Sequence, residues 1–358
     1  MKNERINRVL IEMNNNNLDQ ILVTSKENIF YFTGKWINSG ERMIALLIKS
    51  NGEHLLIYNK LFIIKEDLGI NMINYDDSMD PIEILEKYID INKPLGIDKD
   101  WQAHFLIKLL DKGYRKFVNG SQIVSKVRII KDAEEINLMK ISSEINDKVM
   151  KKLWDEFKEG NTEYYYTNVL KELYKEEGVK DFSFAPIIAF GSNGANPHYE
   201  SGENVLKKGD TILIDIGGIY KNYCSDMTRT VFYGEEPEKK IREIYEIVKE
   251  ANLIGISAVK AGKTFSSIDM SVREYISSMG YGDYFIHRTG HGIGIETHEP
   301  EDVSSNNYNI VKEGMTFSIE PGIYLMNKIG IRIEDLVLVK KDGCEVLNDV
   351  TKEIVVLD

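Results

Sequence analysis

Carboxylates that interrupt strand-like apolar runs constrain this chain more than any other feature. In Thr211-Ile-Leu-Ile-Asp215-Ile216 an aspartate stands among isoleucine and leucine. Aspartate is a poor strand residue, and a carboxylate buried there without a partner is expensive. Asp215 therefore needs a cation, a hydrogen-bond network or an edge position. Gly217-Gly218 opens a turn, and Tyr223-Cys-Ser-Asp226 starts a second strand. With the tip at Tyr220-Lys221, Asp215 and Asp226 face each other across a hairpin, where two carboxylates repel unless positive charge lies between them. The pattern recurs downstream. Glu320 ends the apolar run Met315–Ile319, Glu334 closes Ile331-Arg-Ile-Glu334, and a turn centred on Asn327 sets the two opposite. Strand alternation puts Ile331 and Ile333 on one face, Arg332 and Glu334 on the other.

Between these hairpins lies His287-Arg-Thr-Gly290-His291-Gly292-Ile-Gly294-Ile-Glu-Thr-His298-Glu-Pro300. Its alternating glycines oppose a helix by about 1 kcal/mol each relative to alanine and permit close backbone approach. Upstream, Phe184–Phe190 feeds Gly191-Ser-Asn-Gly-Ala-Asn-Pro-His198, a turn-rich loop suited to holding a histidine over a pocket. Taken singly, a buried acid is usually a hydrogen-bonded structural group, and a histidine beside glycine is usually a loop residue. Two carboxylate hairpins flanking a histidine segment make the coincidence informative. Of six histidines in 358 residues, His198, His287, His291 and His298 lie in this region. Cys224 reads as a core residue or a neighbour of the site, and His54, His104, Trp36 and Trp101 read as packing or surface residues.

Composition narrows the class. A net charge of −12 argues against nucleic-acid wrapping and anionic-membrane adhesion. The two cysteines exclude a disulfide framework and a four-cysteine zinc site. No apolar stretch approaches the length of a bilayer span, and Met1–Leu10 lacks the apolar core of a signal peptide, so the cytoplasm is the expected compartment.

Two domains are expected, 1–125 and 126–358, divided where the apolar pattern breaks at Asn119-Gly120-Ser121. The first alternates strands (Gln20–Thr24, Met43–Lys49, His54–Tyr58) with helices (Ile82–Ile89, Ala103–Asp111), an α/β pattern. In the second, a capping box over Asp132–Glu135 opens a long helix reaching toward Gly160. There follow a helix (Tyr164–Glu177), strands (Phe182–Phe190, Thr211–Ile216, Tyr223–Tyr233), two helices (Glu238–Val259, Phe265–Met279) and strands (Met315–Glu320, Ile331–Val339, Glu353–Leu357). Strands before and after a helical pair favour α+β over a doubly wound parallel sheet. Gly290, Gly292 and Gly294 are wrongly spaced for a phosphate-cradling loop.

Asp215, Asp226 eleven residues later, His291, Glu320 twenty-nine further and Glu334 fourteen beyond together resemble the metal-ligand set of the methionine aminopeptidase/prolidase/creatinase superfamily, the pita-bread metallopeptidases. The strings Ile214-Asp-Ile-Gly-Gly218, Tyr223-Cys-Ser-Asp-Met-Thr-Arg-Thr230, Gly290-His-Gly-Ile-Gly294, Thr297-His-Glu299, Ser318-Ile-Glu-Pro-Gly322 and Gly330-Ile-Arg-Ile-Glu-Asp335 look like its motifs. Asn28-Ile-Phe-Tyr-Phe-Thr-Gly34 and Glu41-Arg42 look like the N-terminal creatinase/prolidase domain, which points to the Xaa-Pro branch, prolidase or aminopeptidase P. The implied architecture is an N-terminal creatinase/prolidase-like α/β domain followed by a pita-bread domain.

The resemblance implies two divalent metal ions, with Asp226 and Glu334 bridging, Asp215 on one ion, and His291 and Glu320 on the other. Four carboxylates and one imidazole suit Mn²⁺, with Co²⁺, Fe²⁺ or Zn²⁺ as alternatives. It implies hydrolysis of the bond before proline in Xaa-Pro dipeptides or Xaa-Pro-Yaa peptides by a hydroxide bridging the ions. Catalytic roles fall to His198, His298 and Glu320, substrate contacts to His198, His287, His298 and Arg332. A homodimer is the implied assembly. The pattern departs from prolidases at Pro300-Glu301-Asp302, where an arginine often holds the dipeptide carboxylate; Arg288 or Arg332 in that role, or longer peptide substrates, both stay open. A hydrolase of another small C–N substrate on the same fold and a noncatalytic peptide-binding member are the other readings.

Overall fold

The computed structural model describes residues 2–358. Its contacts divide into two units, the first ending at Arg128 and the second running over Ile129–Asp358.

The first unit holds α1 (Asn3–Asn15), β1 (Gln20–Val23), α2 (Lys26–Thr33), β2 (Ala45–Lys49), β3 (Leu55–Asn59), β4 (Asn71–Tyr75), α3 (Pro81–Leu85), β5 (Leu95–Ile97), α4 (Ala103–Asp111), β6 (Phe117–Asn119) and α5 (Ser121–Arg128). The strands form one mixed sheet in the order β4-β3-β2-β1-β5-β6. Leu22, Leu47, Ile57 and Leu95 pack there with Ile82 and Leu85 of α3 and Phe105 and Leu109 of α4. The helix expected over 82–89 stops early, because Lys87 and Tyr88 donate to carbonyls three residues back and tighten the end into turns.

The second unit opens with α6 (Ala133–Glu156) and α7 (Glu163–Glu176). The capping box forms as expected: Asp132 accepts the Glu135 N–H at 3.0 Å, and Glu135 accepts that of Asp132 at 3.0 Å. The next elements are β7 (Ile187–Phe190), β8 (Thr211–Ile216), β9 (Ile219–Tyr220), β10 (Tyr223–Cys224), β11 (Met227–Tyr233), α8 (Lys239–Ala258) and α9 (Phe265–Ser278). Then come β12 (Gly290–Gly292), β13 (Glu299–Val303), β14 (Thr316–Ile319), β15 (Gly322–Leu325), β16 (Ile329–Arg332), β17 (Asp335–Lys340), β18 (Gly343–Val346) and β19 (Val356–Leu357). Leu153 of α6 and Leu170 of α7 pack on Ile188, Ile214 and Val231 of the sheet β19-β11-β8-β7. Phe265 and Ile268 of α9 pack on Phe317 and Val337 of the sheet β13-β12-β14-β17-β18, and Val248 and Ile276 cover Ile323, Ile331 and Ile333. Each helical pair thus covers strands, giving the expected α+β architecture with a pita-bread second domain.

The downstream hairpin keeps the expected register. Asn327 takes a left-handed φ of 60°, Gly322 pairs with Arg332, and Leu325 pairs with Ile329. The upstream hairpin does not. Lys221 and Asn222 take φ of 47° and 69°, the signature of a type I′ turn, so the tip lies one residue later than expected. Asp215 consequently pairs with Thr228, and Asp226 lies two residues back along the partner strand instead of directly opposite. A slip of two residues preserves the face, because side chains alternate with period two.

Several expected strands are also shorter than the apolar pattern suggests, the last of them only Val356–Leu357 of 353–357. Only Ile187–Phe190 of 182–190 is a strand, and pairing is interrupted at Ser225-Asp226 and at Ile333-Glu334. Asp226 and Glu334 each occupy a gap between ladders, where the chain passes from one sheet to another.

Candidate active site

Asp215, Asp226, His291, Glu320, Glu334, His198, His287, His298 and Arg332 all line one cavity of about 580 Å³. Phe184, Ala185, Ile187 and Pro197 supply an apolar wall. The cavity matches a pocket for a small organic ligand with a few convergent polar groups.

One donor atom from each of Asp226, His291 and Glu334 can be chosen so that all lie within 4.8 Å of one another, and all three residues are buried. Burial, then Glu334, Asp215 and Glu320, push the Asp226 carboxyl well above the ordinary range. Burial, followed by Glu320 and Asp215, does the same to Glu334. Glu320 is pushed up to about 7, first by burial, with Arg332 opposing. His291 is pushed down to about 3 by burial and then by His298, so its ring is neutral. The Gly292 carbonyl lies 3.1 Å from Nδ1, which assigns the proton there and leaves the Nε2 lone pair toward the acids. Nε2 stands 3.6 Å from Asp226 Oδ2 and 3.5 Å from Glu320 Oε1, beyond the usual N–H···O range. Asp215 Oδ1 is buried with no hydrogen-bond partner among the described residues. Clustered acids, a neutral imidazole aimed at them and an orphaned carboxylate oxygen form a donor set short of positive charge, which fits divalent cations.

A polar network fixes these groups. Arg332 donates from Nη2 to Asp215 Oδ2 at 2.6 Å, from Nε to Thr228 Oγ1 at 3.0 Å and from Nη1 to the Tyr324 hydroxyl at 2.9 Å. Thr228 donates its own hydroxyl hydrogen bond to Glu334 Oε2 at 2.6 Å. His287 Nδ1 meets the Arg288 carbonyl at 2.7 Å, and Nε2 meets the Tyr324 hydroxyl at 2.8 Å. Burial first, then Arg332, pushes His287 down to about 4, consistent with a neutral ring that accepts from Tyr324.

His198 and His298 are exposed, and the His298 ring packs edge-on against His291 with centroids 4.2 Å apart. The His198 loop hangs on Glu163, a buried acid without a role in the sequence reading. Glu163 accepts the Phe190 N–H at 2.8 Å, the Asn193 amide at 2.9 Å, the Tyr199 hydroxyl at 2.7 Å and the Gly202 N–H at 3.0 Å. In sequence it shows only as an acid in a first helical turn, which is an ordinary helix-start signal. Thr228 was more accessible, since period-two alternation from Asp226 puts it on the same face. Cys224 is buried and its thiol is pushed up to about 12, mainly by burial, so it offers no nucleophile near neutral pH.

Gly290 lets β12 approach β14 closely. A Cβ there would stand 1.9 Å from the Ser318 carbonyl, while Ser318 Oγ accepts the His291 N–H at 3.0 Å. Gly290→Ala is expected to destabilise by about 1–3 kcal/mol and to weaken Mn²⁺ binding by displacing His291. Thermal unfolding of metal-free protein and calorimetric titration with Mn²⁺ check the two parts separately.

Fold and donor set together define a metallopeptidase. The chain belongs to metallopeptidase family M24, whose model matches residues 137–341, and residues 5–130 match the creatinase/prolidase N-terminal domain. An uncharacterized peptidase of Staphylococcus aureus is 38% identical over 355 residues, covering 97% of this chain and 99% of that protein. The crystal structure of recombinant prolidase from Thermococcus sibiricus has a TM-score of 0.93 at 35% identity, covering 100% of this chain and 99% of that one. The Xaa-Pro dipeptidase from Bacillus anthracis has a TM-score of 0.92 at 31% identity, covering 100% of both chains.

Proposed function

We propose that the protein hydrolyses the peptide bond preceding proline in Xaa-Pro dipeptides or Xaa-Pro-Yaa peptides, in the cytoplasm, with two divalent metal ions. The observation that carries this reading is the convergence of Asp226, His291 and Glu334 in a cavity with one apolar wall and two exposed histidines. Similarity to a prolidase and an Xaa-Pro dipeptidase supports the choice of substrate. Asp215, Asp226, His291, Glu320 and Glu334 would hold the ions. When bound, the ions, Mn²⁺ before Co²⁺, Fe²⁺ or Zn²⁺, supply Lewis acidity that activates water and polarises the scissile carbonyl.

The chain's own residues do the rest. Glu320 takes the proton of the attacking water and returns it to the departing proline nitrogen. His198 and His298 orient the carbonyl and meet the charge that develops on it. Phe184, Ala185, Ile187 and Pro197 give the pyrrolidine ring an apolar surface. Arg332 donates to Asp215 and aims its carboxylate, while the Tyr324 hydroxyl fixes the His287 ring through Nε2.

Chelator-treated protein is expected to be inactive and to regain hydrolysis of Leu-Pro, a Leu-Pro tripeptide or both when Mn²⁺ is added. Release of leucine is measured by chromatography. Metal-loaded protein inert toward both peptides would overturn the reading.

A further inference from the structure

A buried ion pair closes the loop that carries His298. Lys131 Nζ stands 2.8 Å from Glu299 Oε2, and the two side chains are 1% and 3% exposed. Replacing such a pair with well-packed apolar residues often leaves stability unchanged or improved, so stability alone is a weak reason for its presence.

Its position supplies a better one. Glu299 Oε1 accepts the backbone N–H of Ile295 at 2.9 Å and of Glu296 at 3.3 Å. The Gly294 N–H donates to the Glu296 carbonyl at 3.0 Å. The carboxylate thus folds residues 294–299 around itself, and Lys131 holds the carboxylate. A Cβ on Gly294 would lie 2.8 and 2.9 Å from the Glu299 oxygens and 2.9 Å from Lys131 Nζ, so a side chain there would push directly on both partners of the pair.

Lys131 is itself anchored outside the cavity. Its backbone N–H donates to the Gly314 carbonyl at 2.8 Å, and the next residue caps α6. The loop is tied to the site on its other side. The Gly294 carbonyl accepts the Cys224 N–H at 2.8 Å, two residues before Asp226, and Thr297 Oγ1 donates to the Ser183 carbonyl at 2.6 Å. His298 immediately precedes Glu299, and its ring packs on that of His291.

We propose that Lys131, acting through Glu299, is a positioning residue for His298: the ion pair sets where the imidazole stands in the cavity, and hence where the scissile carbonyl is held. The proposal rests on the peptidase reading above. A displacement of about 1 Å in a group that orients substrate is enough to cost roughly 100-fold in rate.

The test is a double-mutant cycle. Lys131→Met and His298→Ala, alone and combined, are assayed on Leu-Pro and a Leu-Pro tripeptide with Mn²⁺, using the substrate that the wild type cleaves. Folded protein is quantified by near-ultraviolet circular dichroism. Each single variant is expected to lose about 100-fold in kcat/KM, chiefly in kcat, and the double variant to be no worse than His298→Ala, because both act through one imidazole. Losses that multiply toward about 10⁴-fold overturn the proposal, as does a Lys131→Met protein that melts earlier but keeps its kcat/KM. If Lys131→Met does not fold, Glu299→Gln replaces it under the same criteria, since the amide oxygen still accepts the Ile295 and Glu296 N–H groups. A folded wild type inactive on both peptides overturns the peptidase reading itself, whereas an active wild type with multiplying losses overturns only the positioning role.

Discussion

Asp226→Asn is expected to abolish peptide hydrolysis while leaving the metal-free protein at least as stable as wild type. The two effects have opposite signs because they come from the same crowding. Asp226 is buried, and its neighbours Glu334, Asp215 and Glu320 all oppose its ionisation, with Arg332 acting the other way. Neutralising one member of such a cluster relieves repulsion that only added cations would otherwise balance. A gain of about 1 kcal/mol would raise the melting temperature of a domain this size by about 2–4 °C. The same change removes one of the three buried residues whose donor atoms converge to hold a metal ion. Loss of such an electrostatic element lowers kcat by about 1,000-fold or more. Calorimetric melting in chelator and leucine release with Mn²⁺ read the two effects independently. A metal-free variant that melts several degrees below wild type would identify Asp226 as a structural acceptor instead.

Arg229→Met is expected to lower stability by about 3–5 kcal/mol, through removal of one partner of a buried charge pair. The Arg229 and Asp335 side chains are 1% and 0% exposed, with Nη2 2.7 Å from Oδ1. Arg229 also donates from Nη1 to the Thr228 and Glu334 carbonyls at 2.9 and 2.6 Å, from Nη2 to Val350 O at 2.9 Å and from Nε to Thr351 O at 3.1 Å. Methionine fills the space of the stem but satisfies none of these acceptors. Lys352, 2.7 Å from Asp335 Oδ2, compensates only part of the charge. Because one of the orphaned carbonyls belongs to Glu334, the surviving folded fraction should also bind Mn²⁺ more weakly. Urea unfolding of metal-free protein measures the first effect, and a value within about 1 kcal/mol of wild type would contradict it.

The two hairpins show why the site was legible before the fold was known. Asn327 fixed the downstream register through its left-handed backbone, and Glu320 and Glu334 followed. At the upstream turn the tip fell on Lys221-Asn222, so the expected pairing of Asp215 with Asp226 was displaced by two residues. Both acids still reach one cavity because face depends on parity, which a two-residue slip leaves unchanged. Apolar runs were less informative about where strands stop. Asp226 and Glu334 sit in gaps of the ladders, and a run of strand-forming residues carries no mark of a change of sheet.

By itself, the sequence determined the donor types, their order along the chain and the face on which each would project, since these depend on residue chemistry and the two-residue repeat of a strand. It also marked the N-terminus of α6 through local capping chemistry. Only the tertiary structure decided which buried charges are paired and which are left facing one another. Lys131 meets Glu299 across 168 residues, and Arg229 meets Asp335 across 106, while Asp215 Oδ1 is left without a partner among the described residues. Such pairings depend on how distant elements pack and on where water is excluded, and no local periodicity encodes either.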